Sequence, residues 1–99
     1  MPQLSPDLLD QLCSLVAQLR EESAGFEENH ADAQLWYNRG YANGILRGLQ
    51  RLLAQESPCG QALDDEFLLQ GHEVMAWGKA YRHGERTGEQ ETYEISGMK

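Results

Sequence analysis

Apolar residues in the first quarter of the chain recur with the 3.6-residue period of an α-helix. The repeat follows Ser5-Pro6-Asp7, where a serine caps free N–H groups, a proline suits the first turn and an acid complements the helix dipole. Its apolar positions are Leu8, Leu9, Leu12, Leu15, Val16 and Leu19. The pattern predicts an amphipathic helix from Pro6 to about Ser23.

A second helical pattern follows the break at Ala24-Gly25. Asn29 offers an N-cap and Asp32 stands in the first turn, so the helix is expected to run from about His30 to about Gln55. Its apolar residues fall within one contiguous arc of the helical wheel: Leu35, Ala42, Ile45, Leu46, Leu49, Leu52 and Leu53.

The turn Ser57-Pro58-Cys59-Gly60 separates this helix from a third. The third helix is predicted from Leu63 or Asp64, through Phe67, Val74, Met75 and Tyr81, to a C-terminal cap at Gly84. In the polar extension 85–99, Thr92-Tyr93-Glu94-Ile95 alternates like a short strand. The sequence therefore predicts one all-α domain over residues 1–99, a compact bundle of three principal helices with a C-terminal extension.

Glycines recur every four residues in the second helix, at Gly40, Gly44 and Gly48. Each costs roughly 0.8–1 kcal/mol relative to alanine, so a compensating contact is expected. On a helical wheel they lie opposite the leucines, which predicts close packing against backbone. Either a neighbouring helix or the C-terminal extension fills that groove, or a partner chain does, which leaves a homodimer open. Gly71 and Gly78 fall on the apolar face of the third helix and predict a tight crossing there.

The chain carries a formal charge of −8, from 16 acidic and 8 basic residues. Nucleic acids and anionic membranes need clustered Lys and Arg, so a basic protein is the expected partner. Cys13 and Cys59 lack the number and spacing of a disulfide scaffold or a zinc knuckle, and both are expected to be reduced. No apolar run approaches the roughly 20 residues of a membrane span and no basic leader is present, so a cytoplasmic protein is expected.

Catalytic and metal-binding patterns are weak. Glu27-Glu28-Asn29-His30 holds a single Glu-x-x-His, whereas a di-iron bundle needs two, and His72-Glu73 lacks the second histidine of His-Glu-x-x-His. We therefore expect no enzyme activity, no metal and no cofactor. The three histidines are expected at the surface or at helix caps: His30, His72 and His83.

Aromatic and acidic residues describe a protein-binding surface instead. Trp36, Tyr37 and Trp77 are expected to be exposed anchors, rimmed by carboxylates that otherwise serve as a solvated acidic surface. The residues predicted to contact a partner are Trp36, Tyr37, Tyr41, Asp64, Asp65, Glu66, Trp77, Arg86, Glu89 and Glu91.

Two segments resemble the immunity proteins that neutralise the NAD(P)-degrading toxin of the bacterial type VI secretion system. Residues 31–37, Ala-Asp-Ala-Gln-Leu-Trp-Tyr, are similar to that family's Ala-acidic-x-Gln-Leu-x-Tyr stretch. Residues 80–88, Ala-Tyr-Arg-His-Gly-Glu-Arg-Thr-Gly, are similar to its Ala-Tyr-x-x-Gly-x-Arg-Thr-Gly segment. The three spaced glycines and the acidic stretch 89–94 differ from the family pattern.

The resemblance implies an antitoxin that binds the toxin's catalytic domain and blocks access of its nucleotide substrate. Trp36, Tyr37 and Tyr41, or else the segment from Arg86 to Glu94, would cover the cleft while carboxylates pair with its basic rim. The alternative is an acidic DNA mimic or phage-type inhibitor of a nucleic-acid enzyme, which requires rows of carboxylates along one face. A metal-dependent helical enzyme would require convergent Glu and His side chains.

Overall fold

Three long helices and one short helix form the described part of the chain. The computed structural model describes residues 5–53, 59, 60, 63 and 65–96. Its elements are α1 (Pro6–Glu22), a 3₁₀ turn (Phe26–Glu28), α2 (Ala33–Leu53), α3 (Glu66–Leu69) and α4 (Ala76–Ile95). The all-α class and the three principal helices are confirmed. Within these residues, none of the helices has the length and apolar character needed to cross a membrane.

α1 begins where its pattern predicts and ends within a residue of the prediction. The Ser5 hydroxyl accepts a hydrogen bond from the Leu8 amide at 3.1 Å, and Pro6 is the first helical residue. Leu12 and Val16 are buried against the apolar stripe of α2. The amphipathic period therefore identifies the packed face of this helix correctly.

α2 begins three residues later than predicted, because Asp32 rather than Asn29 provides the cap. The Asp32 carboxylate accepts a hydrogen bond from the Gln34 amide at 3.2 Å. Asn29 belongs to the preceding turn, where its side-chain amide donates to the Gly25 carbonyl at 2.8 Å and Gly25 has φ of +80°. The helix is described to Leu53, so its predicted end at Gln55 lies outside the described residues.

The third predicted helix is two helices in the structure, and the second of them extends beyond the predicted end at Gly84. α3 covers only Glu66–Leu69, and a turn at Gly71, with φ of +81°, separates it from α4. This turn places Phe67 and Val74 at the surface, 68% and 78% exposed, rather than on a packed face. Gly71 meets no atom within 4 Å of an added Cβ, so its predicted packing role is also wrong.

α4 continues through Gly84 and includes most of the predicted extension. Gly84 is not a cap, because it lies inside the helix against the Tyr37 carbonyl. The stretch from Thr92 to Ile95 is the last turn of α4 rather than a strand, and the Thr92 hydroxyl donates to the Gly88 carbonyl at 2.8 Å. Four residues with one buried position fit a helix as well as a strand, so the alternation was misleading.

Two hydrophobic clusters hold the helices together. The first lies between α1 and α2 and contains Leu12, Val16, Ala42, Ile45, Leu46 and Leu49. The second is rich in aromatic rings and joins the 3₁₀ turn, α2, α3 and α4 through Phe26, Trp36, Leu69, Trp77 and Tyr81. Both tryptophans were expected at the surface, and both are buried at 1% and 6% exposure. Their ring centroids lie 4.4 Å apart, so packing in the core explains the presence of both tryptophans.

Cys13 of α1 and Cys59 form a disulfide across 46 residues of sequence, so the expectation of two reduced thiols is wrong. Spacing gave no signal, because the bond depends on the half-buried Cys13 meeting the segment after α2 in three dimensions. The bond attaches that segment to α1. Since disulfides persist mainly in oxidising compartments, the cysteines no longer support a reducing one.

Candidate functional site

The contact between α2 and α4, here called the seam, is the closest helix pairing in the described chain. An added Cβ at Gly40 would lie 2.1 Å from the Tyr81 carbonyl oxygen, and one at Gly44 would lie 2.1 Å from that of Glu85. An added Cβ at Gly48 would lie 3.1 Å from the Thr92 side chain. The contacted residues advance together along both helices, so the two helices run parallel.

α4 contributes a second glycine stripe that interlocks with the first. Gly84 faces the Tyr37 carbonyl oxygen at 2.2 Å from a built Cβ, and Gly88 faces that of Tyr41 at 2.3 Å. The signal for this stripe was present in the sequence as the same four-residue spacing, continued by Thr92, and was missed. α4 of the same chain therefore fills the groove, and a second copy cannot reach the buried glycines of α2.

A buried polar group locks one flank of the seam. The Asn43 side chain is 1% exposed, donates to the Glu85 carboxylate at 2.8 Å and accepts from the Leu63 amide at 2.7 Å. Glu85 also accepts from Arg82 at 3.0 Å and lies 3.6 Å from Arg47. Every heteroatom of the Asn43 side chain is thus occupied by a structural contact. Sequence reasoning did not identify this network.

Asp65 is committed to a second internal contact and is not free to meet a partner. It is 5% exposed, accepts from Arg39 at 2.8 Å and from the Tyr81 hydroxyl at 2.7 Å. Burial, and after it the hydrogen bond to Asp65, raises the pKa of Tyr81 well above its ordinary value. Asp65 is therefore buried, and its charge is satisfied inside the fold by Arg39 and Tyr81. Asp64 lies outside the described residues.

Tyr37 and Tyr41 lie on the other flank of the seam. Tyr41 donates to the Glu91 carboxylate at 2.5 Å, and burial followed by this bond raises the pKa of Tyr41. The Tyr37 ring lies 5.6 Å from the His83 ring and lines a shallow groove with the first turns of α2 and α4. The structure therefore brings Tyr37, Tyr41 and Glu91 together, as part of the predicted set.

Arg86 and Glu89 line other depressions than the groove of Tyr37, and His83 borders both that groove and one of the Arg86 depressions. Glu89 forms an ion pair with Arg51 at 3.1 Å, without a hydrogen bond to that oxygen. Arg86 is exposed and makes no hydrogen bond or ion pair with the described part of the chain. It lines one depression with His83, Thr87 and Gln90, and another with Arg51, Glu89, Gln90 and Tyr93. Because Trp36, Asp65 and Trp77 are buried, the predicted partner-binding residues do not form one exposed patch.

The histidines are exposed and contact aromatic rings. His30 stacks on Trp77 at 4.4 Å between ring centroids, and the His72 ring lies 5.2 Å from the same indole. In the described ranges, three or more His, Cys, Asp or Glu side chains do not converge on a point that could hold a metal ion.

Comparison with known protein families, characterised proteins and solved structures finds no match to this chain.

Proposed function

We propose that this chain is an immunity protein that binds and occludes the catalytic domain of a type VI secretion toxin, an NAD(P) glycohydrolase or another nucleotide-consuming enzyme. The observation that carries the proposal is the direct contact between the two segments that resemble such proteins. Across the seam, Gly84 packs against the Tyr37 carbonyl. The Trp36 and Tyr81 rings pack edge to face, with 6.5 Å between their centroids. Two short matches far apart in sequence thus form one structural unit.

The matched residues have identifiable roles in this unit, and most of the roles are structural. Tyr81 is a core residue, Gly84 and Gly88 permit the close approach of α2, and Asp32 binds the first turn of α2. Such residues support a shared fold. Arg86 is different, because it is exposed and packing does not account for it. An exposed arginine is a common anchor in protein interfaces, so it is the matched residue that we assign to the toxin.

Charge supports a basic target. The chain has a formal charge of −8, and the last turn of α1 together with the 3₁₀ turn displays four exposed carboxylates: Glu21, Glu22, Glu27 and Glu28. An enzyme that binds a nucleotide phosphate has a positive cleft, and opposite fields accelerate association. The DNA-mimic alternative is less well supported, because Glu85 and Glu89 are paired with arginines at 3.6 and 3.1 Å rather than left free in a row.

The test begins with capture of the tagged protein from its native cells and identification of the protein retained in equal amount. The proposal expects a secretion-associated protein with a C-terminal nucleotide-consuming domain. That domain, purified, should lose its NAD(P)⁺ consumption at a 1:1 ratio with the inhibitor, with a dissociation constant of roughly nanomolar or below.

Arg86→Ala is the informative variant, and Arg20→Ala is its control, because Arg20 is also an exposed arginine but lies on α1. We expect Arg86→Ala to weaken inhibition about tenfold or more and Arg20→Ala to leave it unchanged. Undiminished nucleotide consumption by the captured domain at tenfold excess of the wild-type chain would refute the proposed function. A retained nucleic-acid enzyme that DNA displaces would favour the DNA mimic.

A further inference from the structure

Three large apolar side chains lie exposed within residues 67–75. Phe67, Val74 and Met75 are 68%, 78% and 46% exposed, on α3 and on the turn that leads into α4. The other large apolar side chains exposed in the described chain, Leu15 and Ile95, stand singly on other helices. Single exposed apolar residues are normal on protein surfaces, whereas a local group of three indicates a binding surface.

The backbone holds these side chains in a defined arrangement. The His72 amide donates to the Leu69 carbonyl at 2.8 Å, and the Met75 amide donates to the His72 carbonyl at 3.0 Å. The His72 carbonyl in turn rests against Gly78 of α4, where an added Cβ would approach it to 2.3 Å. The turn is therefore fixed to α4, so display of the apolar residues requires no further ordering.

Phe67 lines an open depression with polar neighbours from three elements. Glu66, Gln70, Glu73 and Arg82 complete its lining, and Val74 and Met75 follow Glu73 directly. We call Glu66, Phe67, Glu73, Val74, Met75 and Arg82 the Phe67 surface. Phe67 is the large apolar side chain of this depression and charged side chains surround it, which is the organisation of a protein interface.

The rim of this surface is acidic in effect. Arg82 donates to Glu66 at 2.9 Å and to Glu85 at 3.0 Å, so its guanidinium is already occupied. Glu73 lies 3.9 Å from Arg82, beyond hydrogen-bonding distance, and its side chain is half exposed. Glu66 and Glu73 therefore share the single guanidinium of Arg82, and this leaves an excess of negative charge on the rim that a cationic side chain of a partner would complement. The formal charge of −8 also attracts a cationic partner from a longer distance.

We propose that the Phe67 surface is the docking site for a partner protein that presents an apolar pocket rimmed by Lys or Arg. The proposal rests on the proposed function, since it assigns the place where the toxin's basic cleft binds. Arg82 and Arg86 stand one helical turn apart on α4, so the Phe67 surface and the exposed Arg86 belong to one continuous face. The sequence-based anchors Trp36 and Trp77 are replaced in this role by Phe67 and its neighbours.

The decisive variants are Phe67→Ala and Glu73→Gln, and the matched control is Ile95→Ala, which removes an exposed apolar side chain from the end of α4. All three positions are solvent-exposed, and circular dichroism with thermal melting verifies that each variant folds. With the toxin domain as ligand in calorimetry, Phe67→Ala should weaken binding about 30-fold, which corresponds to about 2 kcal/mol. Glu73→Gln should slow association and flatten its salt dependence. Ile95→Ala should bind within about twofold of wild type.

The same three chains serve as baits in the capture experiment, which separates the two proposals. A partner retained by wild type and Ile95→Ala but lost with Phe67→Ala supports the docking site, whether or not that partner consumes nucleotides. A toxin that Phe67→Ala still inhibits with wild-type affinity overturns the docking site and leaves the proposed function standing. If light scattering shows a dimer that Phe67→Ala dissociates, the occupant is a second copy and the cationic partner is wrong. If no bait retains a partner, both proposals fail.

Discussion

Gly44→Ala is the sharpest test of the seam between α2 and α4. The added methyl carbon would lie 2.1 Å from the Glu85 carbonyl oxygen and 2.8 Å from the Glu89 amide nitrogen. Both are backbone atoms in the middle of a helix, so neither can rotate away. The helices must separate by roughly 1 Å at this point, which forfeits a large part of the dispersion energy of the surrounding contacts.

Two opposing terms set the magnitude. Overpacking of a close contact costs about 1–3 kcal/mol, and rigid backbone on both sides puts Gly44→Ala at the upper end of that range. Alanine returns roughly 0.8–1 kcal/mol through its higher helix propensity. The net expectation is a loss of about 2 kcal/mol in the free energy of unfolding. For a domain of this size each kcal/mol lowers Tm by roughly 4–8 °C.

Urea unfolding followed by circular dichroism at 222 nm measures the loss, with thermal melting as a second readout. Ala17→Gly, at an exposed position of α1, is the matched control because it reports the propensity term alone in the same protein. A Gly44→Ala protein as stable as wild type, or more stable, would show that the two helix backbones do not approach closely enough at Gly44 to exclude a methyl group.

Three further perturbations test the rest of the fold. Replacing Cys13 and Cys59 by serine should lower the free energy of unfolding by about 4 kcal/mol, because the unfolded chain regains the entropy that a 46-residue cross-link removes. Equal urea midpoints with and without reductant would contradict the disulfide bond. The raised pKa of Tyr81 stabilises the fold fully below pH 10, where tyrosine ionises in the unfolded chain; above it stability should fall by about 1.4 kcal/mol per pH unit. Absorbance at 295 nm checks this, since normal titration of all four tyrosines in a folded protein would refute it. Asn43→Ala removes a hydrogen-bond donor from the buried Glu85 carboxylate and should lower the free energy of unfolding by about 2–3 kcal/mol, as measured by urea unfolding. A loss below about 0.5 kcal/mol would mean that water replaces the amide.

Elements that depend on local periodicity could be predicted from the sequence. α1 needed only its cap at Ser5 and the leucine repeat, and the apolar face of α2 needed only its own period. The break before α4 could not be predicted in this way. Gly71 leaves the helix through a left-handed conformation, and the helical wheel continues in phase across it. Gly84 has the local features of a helix end, and only its distant contact with the Tyr37 carbonyl explains why α4 continues.

The candidate site was harder to predict than the fold for a related reason. An aromatic residue serves equally well as a core residue or as an interface anchor, and Trp36 and Trp77 proved to be partners of each other. The sequence places Asp65 in a run of acidic residues, which indicates an acidic surface. In the structure it pairs with Arg39, which is 26 residues away in sequence. Phe67 was assigned to a packed face by the same continuous helix that Gly71 interrupts. In each case a long-range neighbour decides the role.

The interlocking glycines have a consequence for how the two helices find their alignment. Small residues repeated every four positions specify a distance but not a unique register, because sliding α4 by one turn would again set glycine opposite backbone. A shifted pair would separate the Asn43 amide from the Glu85 carboxylate and break the buried hydrogen bond between them. It would also draw the Tyr81 hydroxyl away from Asp65. The glycines thus set the distance between the two helices, and the buried polar hydrogen bonds select one register among those that the glycine spacing allows.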